Sequence, residues 1–296
     1  MVALPETFRG FAARSPSWAD FVDRLPGLLR DLLEEWQLAA DGEATHGHAA
    51  VVVPVRTVAG RPAVLKVSWP HPEAEHEHLA LQHWHGDGAV RLLRADPRRF
   101  ALLLERLHRE DLTDLWDVEA CEVVAGFYRR LHVPAPPQLT TLSSCVERWT
   151  RELAALPRDA AVPRRLVEQV VALGRDLASD GSTDGRLLHT DLHYDNVLAA
   201  DREPWLVIDP KPLSGDPHYE VAPLLWNRWD ELEAPGGPGV RRGVRARFHA
   251  AIDAAGLDED RARDWVVLRM VVNAVRDPDD AAWVTRCITI AKSVQE

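Results

Sequence analysis

The sequence is short of cysteine, with only Cys121, Cys145 and Cys287, each isolated among apolar neighbours. That supply gives neither a disulfide framework nor a zinc knuckle, and it suits a reducing compartment. No run of eighteen apolar residues occurs, and the opening Met-Val-Ala-Leu-Pro-Glu lacks a basic flank ahead of an apolar stretch. Neither a membrane span nor a secretion signal is expected, so the expected location is cytoplasmic. Positive charge is also in deficit: 35 basic residues stand against 46 acidic ones, a net charge of −11. Such a surface repels nucleic-acid backbones and attracts cations. Repeats at solenoid periods are missing, and low complexity is confined to residues 233–239, a flexible loop between helices. What remains is 296 residues with 46% hydrophobic content, enough to bury the core of one large domain or two lobes.

The chemistry concentrates in residues 187–216. Leu187-Leu188-His189-Thr190-Asp191-Leu192-His193-Tyr194-Asp195-Asn196 reads as a strand running into a polar loop. Val197-Leu198-Ala199 and Trp205-Leu206-Val207-Ile208 read as strands joined by a turn, with Asp209 at the end of the second. Asp191, Asn196 and Asp209 thus sit at the tips of apolar strands, where oxygen donors can converge on a hard cation such as Mg²⁺. Asp191 precedes Asn196 by five positions, the D-x-x-x-x-N spacing of phosphoryl-transfer loops. In that chemistry the first Asp orients the acceptor hydroxyl, while the Asn and the later Asp hold metal against the phosphates.

Upstream, residues 17–36 predict two helical pieces broken near Pro26-Gly27. Residues 49–58 and 63–67 form a hairpin around Ala59-Gly60-Arg61-Pro62, a helix runs from about 72 to 84, and strands cover 89–94 and 100–104. Helical periodicity dominates thereafter, over 112–131, 142–155, 163–178, 217–229, 240–255, 258–276 and 279–293. A β-rich part followed by a helical part is an α+β arrangement, expected to carry its cleft at the join.

Two features of the β-rich part bear on phosphate. Gly42-Glu43-Ala44-Thr45-His46-Gly47-His48-Ala49 has glycines that let backbone N–H groups approach phosphate oxygens. It fails as a Walker-type loop, because His48 stands at the lysine position and strands follow instead of a helix. Plain hairpin chemistry is the alternative reading of Gly42, Thr45 and Gly47. Lys66 lies among β-formers: either a strand lysine facing solvent, or an ammonium for nucleotide phosphates paired with a carboxylate of the next helix. Glu77 is the first candidate partner and Glu73 the second. The five histidines between His71 and His85 contain no His-Glu-x-x-His and read as a solvated helix face.

The order of glycine loop, strand lysine, helix glutamate, catalytic loop and metal Asp resembles the aminoglycoside phosphotransferase family, and within it the streptomycin 6-kinase and hydroxyurea phosphotransferase branch. The resemblance spans nearly the whole chain. Its most specific element is Ile208-Asp209-Pro210-Lys211-Pro212-Leu213-Ser214-Gly215-Asp216-Pro217, which follows the more widely shared His-x-Asp-Leu-His-x-x-Asn. Thr190 departs from it, standing where many relatives have Gly or Trp.

The resemblance implies a protein-kinase-like bilobal fold: a nucleotide-binding lobe over 1–107 and a helical lobe over 108–296 with catalytic loop and acceptor pocket. It implies Asp191 as base, Asn196 and Asp209 as metal ligands, and Lys66 with Glu77 on the nucleotide phosphates. Glu105 and Leu107 would offer hinge backbone to adenine, and Asp216 would bond the catalytic loop. ATP and Mg²⁺ are the expected cofactors. The expected acceptor is a cationic small molecule, best fitted by an aminoglycoside such as streptomycin, with antibiotic resistance as the role. A metabolic kinase acting on an amino sugar, choline-like alcohol or hydroxyurea-like compound is the alternative, followed by a non-catalytic nucleotide-binding module. Glu220, Asn227, Asp277 and Asp280 are candidate acceptor contacts. The last two also fit capping of the final helix, and Trp226 fits core packing, with Trp229 or Asn227 lining the pocket. A monomer or weak dimer, binding neither nucleic acid nor membrane, is expected.

Overall fold

The computed structural model describes residues 2–296, which divide into two compact units. Residues up to 108, with the turn 200–204, form the first; 109–199 and 205–296 form the second.

The first unit opens with a short helix α1 (Glu6–Arg9) and a long one, α2 (Pro16–Glu35). Contrary to the expected break, α2 runs straight through Pro26. Trp18, Phe21, Leu25, Leu29 and Leu32 recur every three or four residues and are buried, whereas Pro26 lies on the exposed side. Burial of that stripe outweighs the hydrogen bond that proline removes, worth with its ring clash about 3 kcal/mol. Strands β1 (Ala39–Ala40), β2 (Thr45–His46), β3 (Ala50–Arg56) and β4 (Pro62–Ser68) follow, then α3 (Glu77–Trp84), β5 (Leu92–Asp96) and β6 (Ala101–Glu105). They form one antiparallel sheet in the order β1-β3-β4-β6-β5, with β2 also on β3.

The two-residue period of a strand sets what this sheet presents. Val51, Val53 and Val55 of β3 and Ala63, Leu65 and Val67 of β4 are all fully buried and share one core cluster with the apolar stripe of α2. Lys66, between Leu65 and Val67, must project from the opposite face.

The second unit is mainly helical: α4 (Asp117–Leu131), α5 (Leu142–Ala154) and α6 (Arg164–Ser179). Two small ribbons follow. Strand β7 (Arg186–Leu188) pairs with β10 (Leu213–Gly215), and β8 (Val197–Ala199) pairs with β9 (Trp205–Val207), each antiparallel. The β10–β7 ribbon lies so close to α5 that a Cβ on Gly215 would fall 2.6 Å from Leu188 Cδ1 and 3.0 Å from Leu142 Cβ. The remaining helices are α7 (Ala222–Trp226), α8 (Trp229–Glu233), α9 (Val240–Ala255), α10 (Glu259–Arg276) and α11 (Ala281–Ser293). Among the described residues, no helix is long and apolar enough to cross a membrane.

Candidate active site

The loop between β7 and β8 carries Asp191 and Asn196, and β9 leads into Asp209. Pairing of β8 with β9 continues one step beyond the strands, because the Ile208 N–H donates to the Asn196 carbonyl at 2.9 Å. That bond sets Asp209 one residue beyond the point opposite Asn196. The Asn196 amide is oriented by what it donates: Nδ2 reaches the Asp191 carbonyl at 2.8 Å and His193 Nε2 at 3.1 Å. Both N–H groups are thereby used, and Oδ1 is left as an acceptor. An amide oxygen and the Asp209 carboxylate are hard donors of the kind Mg²⁺ prefers. Among the described residues, no group of three or more His, Cys, Asp or Glu could enclose a metal.

His189 is fully buried and acts as an internal brace. Its Nδ1 accepts the Asp191 N–H at 3.2 Å, so the proton sits on Nε2, which donates to the Ile208 carbonyl at 2.8 Å. Burial holds its pKa below the ordinary value, in keeping with a neutral ring. His189 thereby ties the start of the catalytic loop to the residue before Asp209.

The next residue stores strain. Thr190 has φ +62°, an uncommon conformation for a β-branched residue and a natural one for glycine. All its polar groups are taken: the N–H donates to both Glu220 carboxylate oxygens at 3.1 Å, Oγ1 donates to the Lys211 carbonyl at 2.6 Å, and the carbonyl accepts from Arg269. This over-determination holds a conformation that would otherwise relax. It also accounts for how a threonine, and not a glycine, keeps this conformation here.

Asp191 is mostly enclosed, and one of its oxygens, Oδ2, forms an ion pair with Lys211 and lies 3.9 Å from His193 Nε2. Burial pushes its carboxyl up, but the Lys211 ammonium outweighs burial, and its pKa lies below the ordinary value. Asp191 is therefore an ionised acceptor at neutral pH.

Two acidic residues differ from their expected roles, and Glu220 takes the one expected of Asp216. Glu220, a candidate acceptor contact, is completely buried and cannot touch a substrate. Its carboxylate takes the N–H groups of His189 and Thr190, at 2.5 Å for His189. Asp216, expected to bond the catalytic loop, instead accepts from the His218 N–H at 3.0 Å, Trp265 Nε1 at 2.7 Å and the Arg261 guanidinium, tying α10 to the residues after β10. Burial raises the Glu220 carboxyl, yet His132 at 3.7 Å and the Thr190 N–H bring it below its ordinary value.

In the first unit, Lys66 and Glu77 are 7% and 2% exposed, and Lys66 Nζ meets both Glu77 oxygens at 2.7 Å. The pleat aims Lys66 off the face that α2 covers, and α3 brings Glu77 to it. Around the glycine-rich segment, Gly42 has φ +152° and Thr45 pairs with Val52. The Gly47 N–H is spent on the Ala50 carbonyl at 3.0 Å, closing a hairpin turn, so it is not a free phosphate donor. Arg14 and the Trp69 N–H hold the turn's His48 and Ala49 carbonyls at 2.9 and 2.7 Å. After β6, the Glu105 N–H is bonded to the Arg91 carbonyl at 2.9 Å. The Glu105 carboxylate takes Arg202 Nε at 2.9 and 3.2 Å. Leu107 N–H donates to no acceptor among the described residues.

Of the remaining acceptor candidates, Asp280 caps α11 through the Trp283 N–H at 2.9 Å, while Asp277 is exposed at the end of α10. Asn227 Nδ2 closes the end of α7 on the Pro223 carbonyl at 2.9 Å. The tryptophans are reversed: Trp229 is buried at 7% exposure, and Trp226 is the partly exposed one, against Trp283 and beneath Arg269. Lys211 and Arg269 are contacts of the catalytic loop that spacing did not single out. For Lys211 the signal was its place between two prolines.

The chain matches the model of the aminoglycoside/hydroxyurea antibiotic resistance kinases over residues 35–281. It belongs to this family. Among curated relatives it is 39% identical to a streptomycin 6-kinase of Streptomyces glaucescens, over 100% of this chain and 98% of that one. It is 41% identical to a hydroxyurea phosphotransferase of Kitasatospora aureofaciens, over 88% and 75%. The solved aminoglycoside phosphotransferase APH(4)-Ia superposes with a TM-score of 0.62 at 19% identity, covering 91% of this chain and 99% of that one. The last likeness fixes the fold as protein-kinase-like, β-rich first and helical after.

Proposed function

We propose that this member of the kinase family transfers the γ-phosphoryl group of ATP to a hydroxyl of streptomycin or a closely related cationic aminocyclitol, and so confers resistance. The observation that carries the reaction is the ionised Asp191 whose own carbonyl anchors the Asn196 amide, one hairpin step from Asp209. Asp191 accepts the hydroxyl proton as the oxygen attacks phosphorus, and ADP leaves. Asn196 Oδ1 and the Asp209 carboxylate would hold Mg²⁺, which offsets charge on the phosphates. Lys66, fixed by Glu77, would neutralise the α- and β-phosphates, and the unspent Leu107 N–H would meet adenine. Nucleotide binding is then the task of residues 1–107, and acceptor binding and transfer that of 108–296. Catalysis by such parts is positioning and electrostatics.

The acceptor class is supported by the end-to-end match to the Streptomyces glaucescens kinase. The surplus of carboxylates suits a polycation, and exposed Asp277 is the candidate contact left open on the acceptor side. The comparable identity to the hydroxyurea phosphotransferase supports a second reading, transfer to a small hydroxylated compound. A coupled ATP-consumption assay with Mg²⁺ separates them. Stimulation by streptomycin, with phosphate mapped to the 6-hydroxyl, is expected. Stimulation by hydroxyurea or amino sugars alone would replace the acceptor, and nucleotide binding without turnover on any acceptor would replace the enzyme with a binding module.

A further inference from the structure

Lys211 occupies the sequence Asp209-Pro210-Lys211-Pro212, and both prolines are buried. Pro212 restricts Lys211 to extended backbone, and Pro210 limits the approach from the other side, so little freedom remains to be lost. The backbone of Lys211 is clipped to the catalytic loop twice: its N–H donates to the His189 carbonyl at 2.9 Å, and its carbonyl accepts Thr190 Oγ1 at 2.6 Å. From this fixed base the side chain reaches Asp191, and its ammonium pairs with Oδ2. His193 Nε2 lies near the same oxygen, at 3.9 Å. No donor reaches Oδ1 among the described residues. The two carboxylate oxygens are therefore unequal.

We propose that Lys211 is a positioning residue for Asp191, holding Oδ2 so that Oδ1 is presented as the single acceptor for the substrate hydroxyl. The inference rests on the reading of Asp191 given above. The same ammonium offsets the carboxylate charge that would otherwise repel an incoming triphosphate. Its effect belongs to the transition state, where the angle of the hydroxyl to phosphorus decides the rate, rather than to ground-state binding.

The test compares wild type with K211M, K211R, D191N and D191N/K211M, with unfolding temperature and ADP affinity recorded for each. K211M should lower kcat by about 10²-fold, the scale of an ångström-sized misplacement, with both KM values within about threefold. K211R, which keeps charge and donor, should recover part of kcat. The double variant should be no slower than D191N beyond about threefold, because Lys211 acts through Asp191. A K211M kcat within threefold of wild type would overturn the proposal, as would losses that multiply in the double variant. A faster K211M would overturn it too, making the ion pair a lock that the acceptor must break. Should K211M fail to fold, K211Q and K211R carry the same comparison. The parent reading fails separately, through a D191N that turns over normally. If no acceptor works, slow ATP hydrolysis, with water in the hydroxyl's place, gives the same comparison of variants.

Discussion

Replacing Glu220 with Gln would test whether a fully buried carboxylate sets the geometry of the catalytic loop. The isosteric amide keeps one carbonyl oxygen for the His189 N–H but turns an NH₂ towards the Thr190 N–H, donor against donor. One hydrogen bond to a charged group is lost, worth about 1.5–3 kcal/mol. The cheaper desolvation of a neutral amide returns part of that. Thr190 also loses a restraint on a left-handed conformation that costs roughly 1–2 kcal/mol, so its backbone has a reason to relax. A net loss of about 2–3 kcal/mol is expected, read as several degrees in Tm by thermal unfolding and as a lower urea midpoint at constant slope. Because Thr190 directly precedes Asp191, kcat should fall by about 10-fold to 10²-fold, with the KM for nucleotide little changed. Glu220→Ala, which strands both N–H groups and opens a void, should cost about 3–5 kcal/mol. Wild-type Tm and kcat in Glu220→Gln would refute the reasoning. A lowered Tm with unchanged kcat would leave Glu220 as packing alone.

The other predictions concern charge. Lys66→Met leaves Glu77 as a buried charge without its ammonium and should cost about 3–5 kcal/mol, whereas Lys66→Met/Glu77→Leu should regain most of that. Calorimetry should find weakened ATP binding in both, and recovery of binding in the double variant would detach Lys66 from nucleotide. Asp209 has φ +57°, which asparagine tolerates well, so Asp209→Asn should keep its unfolding midpoint while Mg²⁺-dependent turnover drops by about three orders of magnitude. Turnover within tenfold of wild type would sink the metal assignment. Burial raises the carboxyls of both Asp216 and Glu220, but His218 and Trp265 for the first, and His132 and the Thr190 N–H for the second, hold them below their ordinary values. A depressed folded pKa contributes stability that is complete above the unfolded value, about 4, and disappears as pH falls through the folded one. Urea midpoints should therefore decline below about pH 5, less steeply in Glu220→Gln, and parallel profiles would contradict this.

The sequence made the architecture legible because its elements are locally consistent. Alternation marked β3 and β4, and three- and four-residue spacing marked α4, α5, α6, α9, α10 and α11 to within about five residues, whereas the single helix expected over 217–229 is a short helical turn, α7 and α8, broken where Asn227 is extended and Arg228 is left-handed. The break expected at Pro26 was wrong because local propensity was allowed to decide where the tertiary stripe of α2 decides. In the site, residues defined by spacing along one loop or hairpin were readable: Asp191, Asn196 and Asp209 lie within nineteen positions, and Lys66 meets Glu77 eleven residues on. Roles that depend on distant elements were not. Glu220 and Asp216 are four residues apart and both acidic, and nothing local shows which turns towards the loop and which towards α10. What separates them is the short helical turn Pro217–Val221, which points Asp216 at Arg261 and Trp265 and brings Glu220 beneath Thr190. Lys211 illustrates the intermediate case. The flanking prolines announce a rigid backbone, but only the pairing of that backbone with His189 and Thr190 reveals that the rigid segment aims an ammonium at the base. In this chain, therefore, the residues that would do the chemistry are written in short-range spacing, and the residues that hold them in register are written in the fold.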